Sequence, residues 1–116
     1  MPLRDQIRKG SSETLILSLL AQEPMYGYQI TQELERRSGG YFDMKEGLLY
    51  PTLHRMEQEG LVESEWRTVA GRRRRKYYVI TERGRQALAA QTAEWRTFTE
   101  RLLHLLDTLA AAAETP

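Results

Sequence analysis

A run of five adjacent basic residues is the clearest chemical feature of this chain. Four arginines and a lysine occupy positions 72–76, and guanidinium and ammonium groups are the side chains that pair best with phosphate oxygens. Residues 66–81 contain six basic and no acidic residues, although the whole chain has a net charge of only +1. Because adjacent cations repel one another, this block indicates a polyanionic partner more strongly than a solubilising turn.

The residues on either side of this run have the composition of a β-hairpin. Residues 62–69 (VESEWRTV) and 77–80 (YYVI) are rich in β-branched and aromatic side chains, which favour strands. Residues 70–74 form the predicted turn, in which Gly71 provides the flexibility of a tight connection. The tip would hold the basic side chains away from the body, against phosphates or in a narrow minor groove. The predicted contacts are Arg72, Arg73, Arg74, Arg75 and Lys76.

Three predicted helices precede the hairpin. The first is capped by Ser11 or Ser12 and ends at Ala21, the second spans residues 26–38, and the third spans residues 46–59. Each has apolar residues at steps of three or four, the period of an amphipathic helix. The order helix, helix, helix, hairpin predicts a winged helix-turn-helix. The fold class is therefore mainly α (α+β).

Thr81 is the predicted N-cap of a last helix that ends near Ala111. Seven of its side chains follow alternating steps of four and three, the pattern of a coiled-coil seam: Leu88, Thr92, Trp95, Thr99, Leu102, Leu106 and Leu109. About 30 residues at 1.5 Å per residue give a rod of roughly 45 Å, which the first 80 residues cannot cover. We therefore expect a homodimer. Its predicted contacts are Leu88, Trp95, Leu102, Leu106 and Leu109.

These elements divide the chain into four predicted parts. Residues 1–10 would be a flexible N-terminal segment, residues 11–80 the winged helix-turn-helix domain, residues 81–111 the dimerisation helix and residues 112–116 a tail. A short extended piece is expected at residues 41–43.

Composition and spacing exclude several other classes of protein. The absence of cysteine removes disulfides and thiolate metal sites, and His54 and His104 have no neighbouring ligands, so we expect no metal and no cofactor. Neither a catalytic constellation nor a phosphate-binding glycine loop is found, which argues against an enzyme. Without an apolar run of about 18 residues or a secretion signal, the expected location is the cytoplasm, with no membrane contact.

Four stretches resemble the PadR family of bacterial transcriptional regulators. They are YGYQI at residues 26–30, GLLYPTLHRMEQEGLV at 47–62, GRRRRKYYVIT at 71–81 and ERG at 82–84, and LYPTLHRMEQEGL is the most specific part. The resemblance implies a winged-helix dimer, usually a repressor, joined through a single C-terminal helix as in the short branch of the family. It also implies that Tyr26 lies near the phosphate backbone, and the alternative for this residue is a place in the core.

The third helix is the predicted recognition helix, which would enter the major groove. Its inward face carries Leu49, Leu53 and Met56, so its opposite face would contact DNA. Arginine there can make bidentate contacts to guanine. The alternatives are a solvated face, or a tyrosine packed beneath the hairpin. The predicted contacts are Tyr50, Pro51, His54 and Arg55.

Trp95 has two interpretations. An aromatic residue on the seam is most simply part of the dimer core. Some PadR-like proteins instead use a tryptophan near this point to stack flat drugs or aromatic acids between subunits, which implies an effector site at Trp95, Phe98 and Thr99.

Two hypotheses for function follow. The first is a homodimeric regulator that binds double-stranded DNA at an inverted repeat, represses transcription and is released by a small aromatic effector. The second is a winged-helix interaction module that binds an acidic protein surface. Steep weakening of duplex binding by salt would favour the first.

Overall fold

The computed structural model describes residues 2–71 and 73–114 of the chain. Within these residues, the four helices and the hairpin follow the order predicted for a winged helix-turn-helix with a long C-terminal helix, and a short strand stands between the first two helices. The elements are α1 (Leu3–Leu20), β1 (Met25–Tyr26), α2 (Gly27–Arg37), α3 (Glu46–Gln58), β2 (Val62–Thr68), β3 (Arg74–Ile80) and α4 (Glu82–Glu114).

The strands form an antiparallel sheet in the order β1-β3-β2. β2 and β3 pair along their full length, from Val62 opposite Ile80 at the base to Thr68 opposite Arg74 at the tip. β1, which the sequence did not predict, adds two pairs on the other edge of β3. Near the base, every second residue of the hairpin faces the helices, as the alternation predicted.

The core lies between α1, α2, α3 and this side of the sheet. Burying apolar side chains here stabilises the fold by about 1.5–3 kcal/mol for each large one. The fully buried members are Ile16, Leu17, Leu20, Met25, Ile30, Leu49, Leu53, Met56 and Val62. Each helix therefore has one fixed face toward the core, and this decides which residues of α3 reach the surface.

The predicted start of α1 is wrong. The helix begins at Leu3, eight residues before Ser11, and neither serine is its N-cap. The hydroxyl groups of Ser11 and Ser12 instead donate to the carbonyls of Ile7 and Arg8, at 3.0 and 2.7 Å, which is how serine behaves inside a helix.

The predicted start of the second hairpin strand is also wrong. Arg74 and the two basic residues after it belong to β3, where they pair with Thr68, Arg67 and Trp66. Strand β3 pairs with all seven residues of β2. It therefore begins three residues before the apolar run at residues 77–80, from which its start was predicted. The turn is closed by the Val69 amide, which donates to the Arg73 carbonyl at 2.8 Å. Residues 41–43, predicted as extended, belong to no strand among the described residues.

Helix α4 starts where it was predicted to start and runs three residues further. The Gly84 amide donates to the Thr81 hydroxyl at 3.0 Å, which confirms Thr81 as the N-cap. Gln91 and Trp95 are half-buried, whereas every residue from Arg96 to Glu114 is exposed. The rod gives the chain dimensions of 70 × 27 × 23 Å.

Candidate nucleic-acid interface

The exposed side of α3 is divided between two neighbours. On one side, Tyr50 lies against the start of α2, with its hydroxyl oxygen 2.6 Å from where a Cβ on Gly27 would stand. The Tyr50 side chain is 45% exposed, and His54, one turn later, is also exposed. Because they are four residues apart, these two side chains lie on the same side of α3.

The other two predicted contacts of α3 lie toward α1 and α4. Pro51 and Arg55 line a groove between these three helices. Arg55 Nη2 lies 3.6 Å from Glu13 Oε1 of α1. Of the four predicted contacts on α3, Arg55 is therefore the one that has an ionic partner within the chain.

A chain of polar contacts continues from this ion pair to α4. Gln91 Nε2 donates to Glu13 Oε2 at 2.6 Å, and the Thr14 hydroxyl donates to Gln91 Oε1 at 2.6 Å. Glu13 is thus held by α4 on one side and by Arg55 of α3 on the other. The contacts join the predicted recognition helix to the predicted dimerisation helix.

The same groove contains the predicted effector residues. Its volume is about 1070 Å³, and its walls include Trp95 and Phe98, whose rings meet edge to face at 5.9 Å. The Thr99 hydroxyl donates to the Trp95 carbonyl at 2.9 Å, and Thr99 lies outside the lining. The structure therefore brings together two of the three predicted effector residues.

The hairpin has two faces that differ in charge. Its inner face continues the side of the sheet packed on α3, where the Ser64 hydroxyl donates to Glu57. The pKa of the Tyr78 phenol on this face is raised, mainly because the group is buried and secondly because Glu57 is negatively charged. Further out, the inner face consists of Trp66, Thr68, Arg74 and Lys76.

The outer face carries both signs of charge. Arg67 Nε donates to Glu65 Oε1 at 2.8 Å, and the Arg67 guanidinium also lies over Tyr77, 4.8 Å from the ring centre. Arg75 lies over Tyr26, 4.3 Å from its ring centre. The Tyr26 and Tyr77 rings meet edge to face at 5.5 Å. Tyr26 is half-buried in this stack.

From the groove to its C-terminal end, α4 presents a broad apolar surface. The exposed apolar side chains are Phe98, Leu102, Leu103, Leu105, Leu106 and Leu109. Leu88, at the start of the predicted seam, packs instead against the core of its own domain. The N-terminal part of the predicted seam is therefore buried against the rest of the same chain. Its C-terminal part is exposed to solvent and contains three of the predicted dimer contacts, Leu102, Leu106 and Leu109.

Several residues at the candidate interface were not among the predicted contacts. Trp66 is 59% exposed, and strand alternation places it on the inner face beside the basic residues. Glu13 and Gln91 have no local signal, because their contacts join residues 77 or 78 positions apart. The predicted contact Arg72 lies outside the described residues.

Membrane spans and metal centres would be other kinds of functional feature. None of the helices in the described part of the chain is long and apolar enough to cross a membrane. Among residues 2–71 and 73–114, no three His, Cys, Asp or Glu side chains come together in a way that could hold a metal ion.

The comparisons with known proteins agree with one another. The model of the transcriptional regulator PadR-like family matches residues 16–90. The transcriptional regulator Rv3488 of Mycobacterium tuberculosis is 47% identical over 83 residues, which cover 72% of this chain and 74% of that protein. The negative transcriptional regulator PadR of Bacillus subtilis is 29% identical over 73 residues, 63% of this chain and 40% of that one. A PadR-like transcriptional regulator from Bacillus cereus has a solved structure that superimposes with a TM-score of 0.77 at 34% identity, covering 87% of this chain and 96% of that chain.

The family model covers well over half of the chain, and the Mycobacterium relative exceeds 30% identity over more than two thirds of it. Together with the winged-helix fold, these matches show that the chain belongs to the PadR-like family of transcriptional regulators, which are DNA-binding proteins and not enzymes.

Proposed function

We propose that the protein is a homodimeric repressor that acts in the cytoplasm on an inverted-repeat operator. The observation that carries this proposal is the exposed side of α3 next to a hairpin with a purely basic inner tip. In a winged-helix dimer, two recognition helices enter successive major grooves about 34 Å apart. The site residues are then the exposed residues of α3, followed by the basic residues of the hairpin. On α3 they are Tyr50, Pro51, His54 and Arg55.

Base contacts fall to α3, and backbone contacts fall to the hairpin. His54 and Tyr50 reach the surface directly. Arg55 is more than half exposed and keeps other guanidinium N–H groups available for guanine, while its 3.6 Å ion pair with Glu13 competes with that contact. Affinity for DNA therefore depends on a contact that α1 and α4 also control. Tyr26, which packs against Arg75 at 4.3 Å, is the proposed residue near the phosphate backbone at the start of α2.

Repression is favoured over activation because the Bacillus subtilis relative is named a negative regulator. Occlusion of the promoter by the bound dimer is the simplest mechanism.

Release by an effector is supported by the groove beside Trp95. A flat aromatic molecule of moderate size fits a groove of about 1070 Å³ with two aromatic walls. Its lining includes Glu13 and Gln91, so an occupant would disturb the contacts that join α3 to α4. An effector that binds more tightly when these contacts are broken would thereby be coupled to DNA binding at α3.

The test is a titration of fluorescent duplex from the region upstream of the protein's own gene, at several salt concentrations. We expect affinity to fall steeply with salt, because each phosphate contact releases about 0.9 counterion. The double variant Arg73→Glu, Arg74→Glu should flatten this dependence, and the charge-neutral variant Val79→Ile, on the opposite face of the same hairpin, serves as the matched control. Binding that is absent at low salt, or independent of salt, would contradict the proposal.

A further inference from the structure

We infer that only the inner face of the hairpin contacts DNA, through Trp66, Arg74 and Lys76, whereas Arg67 and Arg75 position the hairpin. This inference rests on the proposed function and deepens it. Five consecutive basic residues look equivalent in the sequence. Strand β3 makes the last three of them unequal, because Arg74, Arg75 and Lys76 lie in the strand, where neighbouring side chains point to opposite faces.

The charges of the two faces favour the inner one. Cross-strand pairs near the tip of the inner face are Trp66 with Lys76 and Thr68 with Arg74, so this surface has two cations and no acid. On the outer face, Glu63 and Glu65 stand on the same strand as Arg67. Near the tip, a phosphate approaching the outer face would therefore meet repulsion from Glu65 that the inner face lacks, since Glu57 on the inner side lies toward the base, beside Ser64.

The inner face is also continuous with the recognition helix. The Ser64 hydroxyl of this face donates to Glu57 of α3, and Tyr78 lies near enough to Glu57 and Tyr50 of α3 for their charges to help raise its pKa. Lys76 lies 5.7 Å from the centre of the Tyr78 ring, which places it one step outward along the same side. A duplex held against α3 therefore meets the inner face first.

The cations of both faces lie over aromatic rings, but the outer-face contacts are closer than those of Arg74 and Lys76, which lie 5.5 and 5.7 Å from the ring centres of Trp66 and Tyr78. Arg75 lies over Tyr26 and Arg67 lies over Tyr77, at 4.3 and 4.8 Å from the ring centres. Tyr26 is also the residue before α2. These stacked contacts join β2 and β3 to the start of α2, so that Arg67 and Arg75 act by fixing the angle between the hairpin and the helices.

Trp66 is the additional contact residue that this arrangement reveals. Its ring is 59% exposed and lies beside Arg74, whose guanidinium carbon is 5.5 Å from the ring centre. A large aromatic ring exposed next to a cation suits the edge of a duplex, where deoxyribose offers an apolar surface and phosphate accepts from the indole N–H. The cation and the ring would then bind neighbouring parts of one strand.

The neighbouring variants Arg74→Ala and Arg75→Ala test this division, because they remove the same charge one residue apart. For a dimer, Arg74→Ala should remove two phosphate contacts. The negative slope of log affinity against log salt should become less steep by about 2, and binding should weaken at least tenfold. Arg75→Ala should change the slope by less than 1 and weaken binding less than threefold. Equal slopes for the two variants would overturn the inference.

Fluorescence gives a second test, because the chain has only two tryptophans. Saturating duplex should quench part of the wild-type emission and the emission of Trp95→Phe, in which Trp66 remains. The quench should be absent in Trp66→Phe, with saturation checked in the same sample by the anisotropy of the labelled duplex. A quench that persists in Trp66→Phe at saturation would remove Trp66 from the interface.

Failure of this inference can be told apart from failure of the proposed function. If wild-type protein binds no duplex at low salt, the proposed function fails. If the wild type binds and Arg74→Ala behaves like Arg75→Ala, only the division between the two faces is wrong. Circular dichroism of each variant confirms that the fold is retained before the slopes are compared.

Discussion

Tyr50 illustrates how a single side chain connects the core to the proposed DNA surface. Its ring fits against α2 only because residue 27 is glycine, since a Cβ there would stand 2.6 Å from the hydroxyl oxygen. Nearly half of the side chain remains exposed. Tyr50 can therefore contact DNA without being free to move, which reduces the entropy lost on binding.

Gly84 is a second position where the fold depends on a missing side chain. A Cβ there would lie 2.1 Å from the Leu61 carbonyl oxygen and 2.8 Å from Ile80 Cγ1. The first of these atoms belongs to the backbone and cannot yield without moving α4. We expect Gly84→Ala to lower the free energy of unfolding by about 3 kcal/mol, measured by urea denaturation.

Gly47 provides the control for that substitution. It is also helical, but beyond its own stretch of helix no described atom lies within 4 Å of where a Cβ would stand. We expect Gly47→Ala to be neutral or to stabilise by about 0.5–1 kcal/mol, because alanine restricts the unfolded chain. If both variants lose stability equally, the packing at Gly84 is looser than the distances indicate.

The Tyr78 phenol should make the protein sensitive to alkali. Its pKa lies above the usual value of 10.0 because burial, then Glu57 and Tyr50, disfavour the anion. Below pH 10 the phenol is neutral in both the folded and the unfolded state, so its ionisation does not change the free energy of unfolding. As the pH rises through the unfolded value toward the folded one, the unfolded state ionises first, so the free energy of unfolding falls.

The measurement is urea denaturation at increasing pH above 9. We expect Tyr78→Phe to remove part of the alkaline decline, whereas Tyr28→Phe, at a position 61% exposed, should follow the wild type. An identical decline in Tyr78→Phe and the wild type would contradict the prediction.

At the scale of elements, Thr81 ties the start of α4 to the winged domain. Its hydroxyl accepts from the Gly84 amide at 3.0 Å and donates to the Gly60 carbonyl at 2.6 Å. One side chain therefore caps α4 and fixes the turn between α3 and β2. We expect Thr81→Ala to cost about 1–2 kcal/mol of unfolding free energy. Thr81→Ser keeps the hydroxyl and should retain most of the stability, and equal losses in thermal denaturation would show that the cap is unimportant.

The elements also show what the sequence could and could not predict. α3 was predicted to within one residue because Leu49, Leu53 and Met56 mark its core face. The start of α1 was missed because residues 3–10 have no strong apolar period. Their helix is supported by distant contacts, such as that of Arg8 with the Tyr41 carbonyl, which local spacing does not contain.

The extent of the hairpin was missed for a different reason. Its basic residues were assigned to the turn by their charge, yet a seven-residue β2 needs an equally long partner. Pairing the residues of β2 one by one with a partner strand would therefore have placed residues 74–76 in β3. The alternation of side chains along the strand would then have divided them between its two faces. For the candidate site, the predicted residues of α3 lie at the surface, whereas the partnership of Arg55 with Glu13 could come only from the tertiary structure.

At the scale of the whole molecule, the length of α4 dominates. The chain is 70 Å long but only 27 Å and 23 Å across, because the helix continues far past the winged domain. Six large apolar side chains beyond Trp95 are exposed in the single chain. A contiguous apolar surface of this kind is typical of an interaction site, and in our proposal the same helix of a second protomer covers it.

The double variant Leu102→Glu, Leu106→Glu tests whether this surface holds the dimer together. The two leucines are 39% and 52% exposed in the single chain and lie four residues apart, so both face the same side of α4. Charges there would have to be buried in the dimer, and we expect monomers in sedimentation velocity with at least tenfold weaker duplex binding. His104→Glu, two residues after Leu102 and therefore on the far side of the helix, is the matched control and should remain dimeric. A double variant that still sediments as a dimer would mean that another surface joins the protomers.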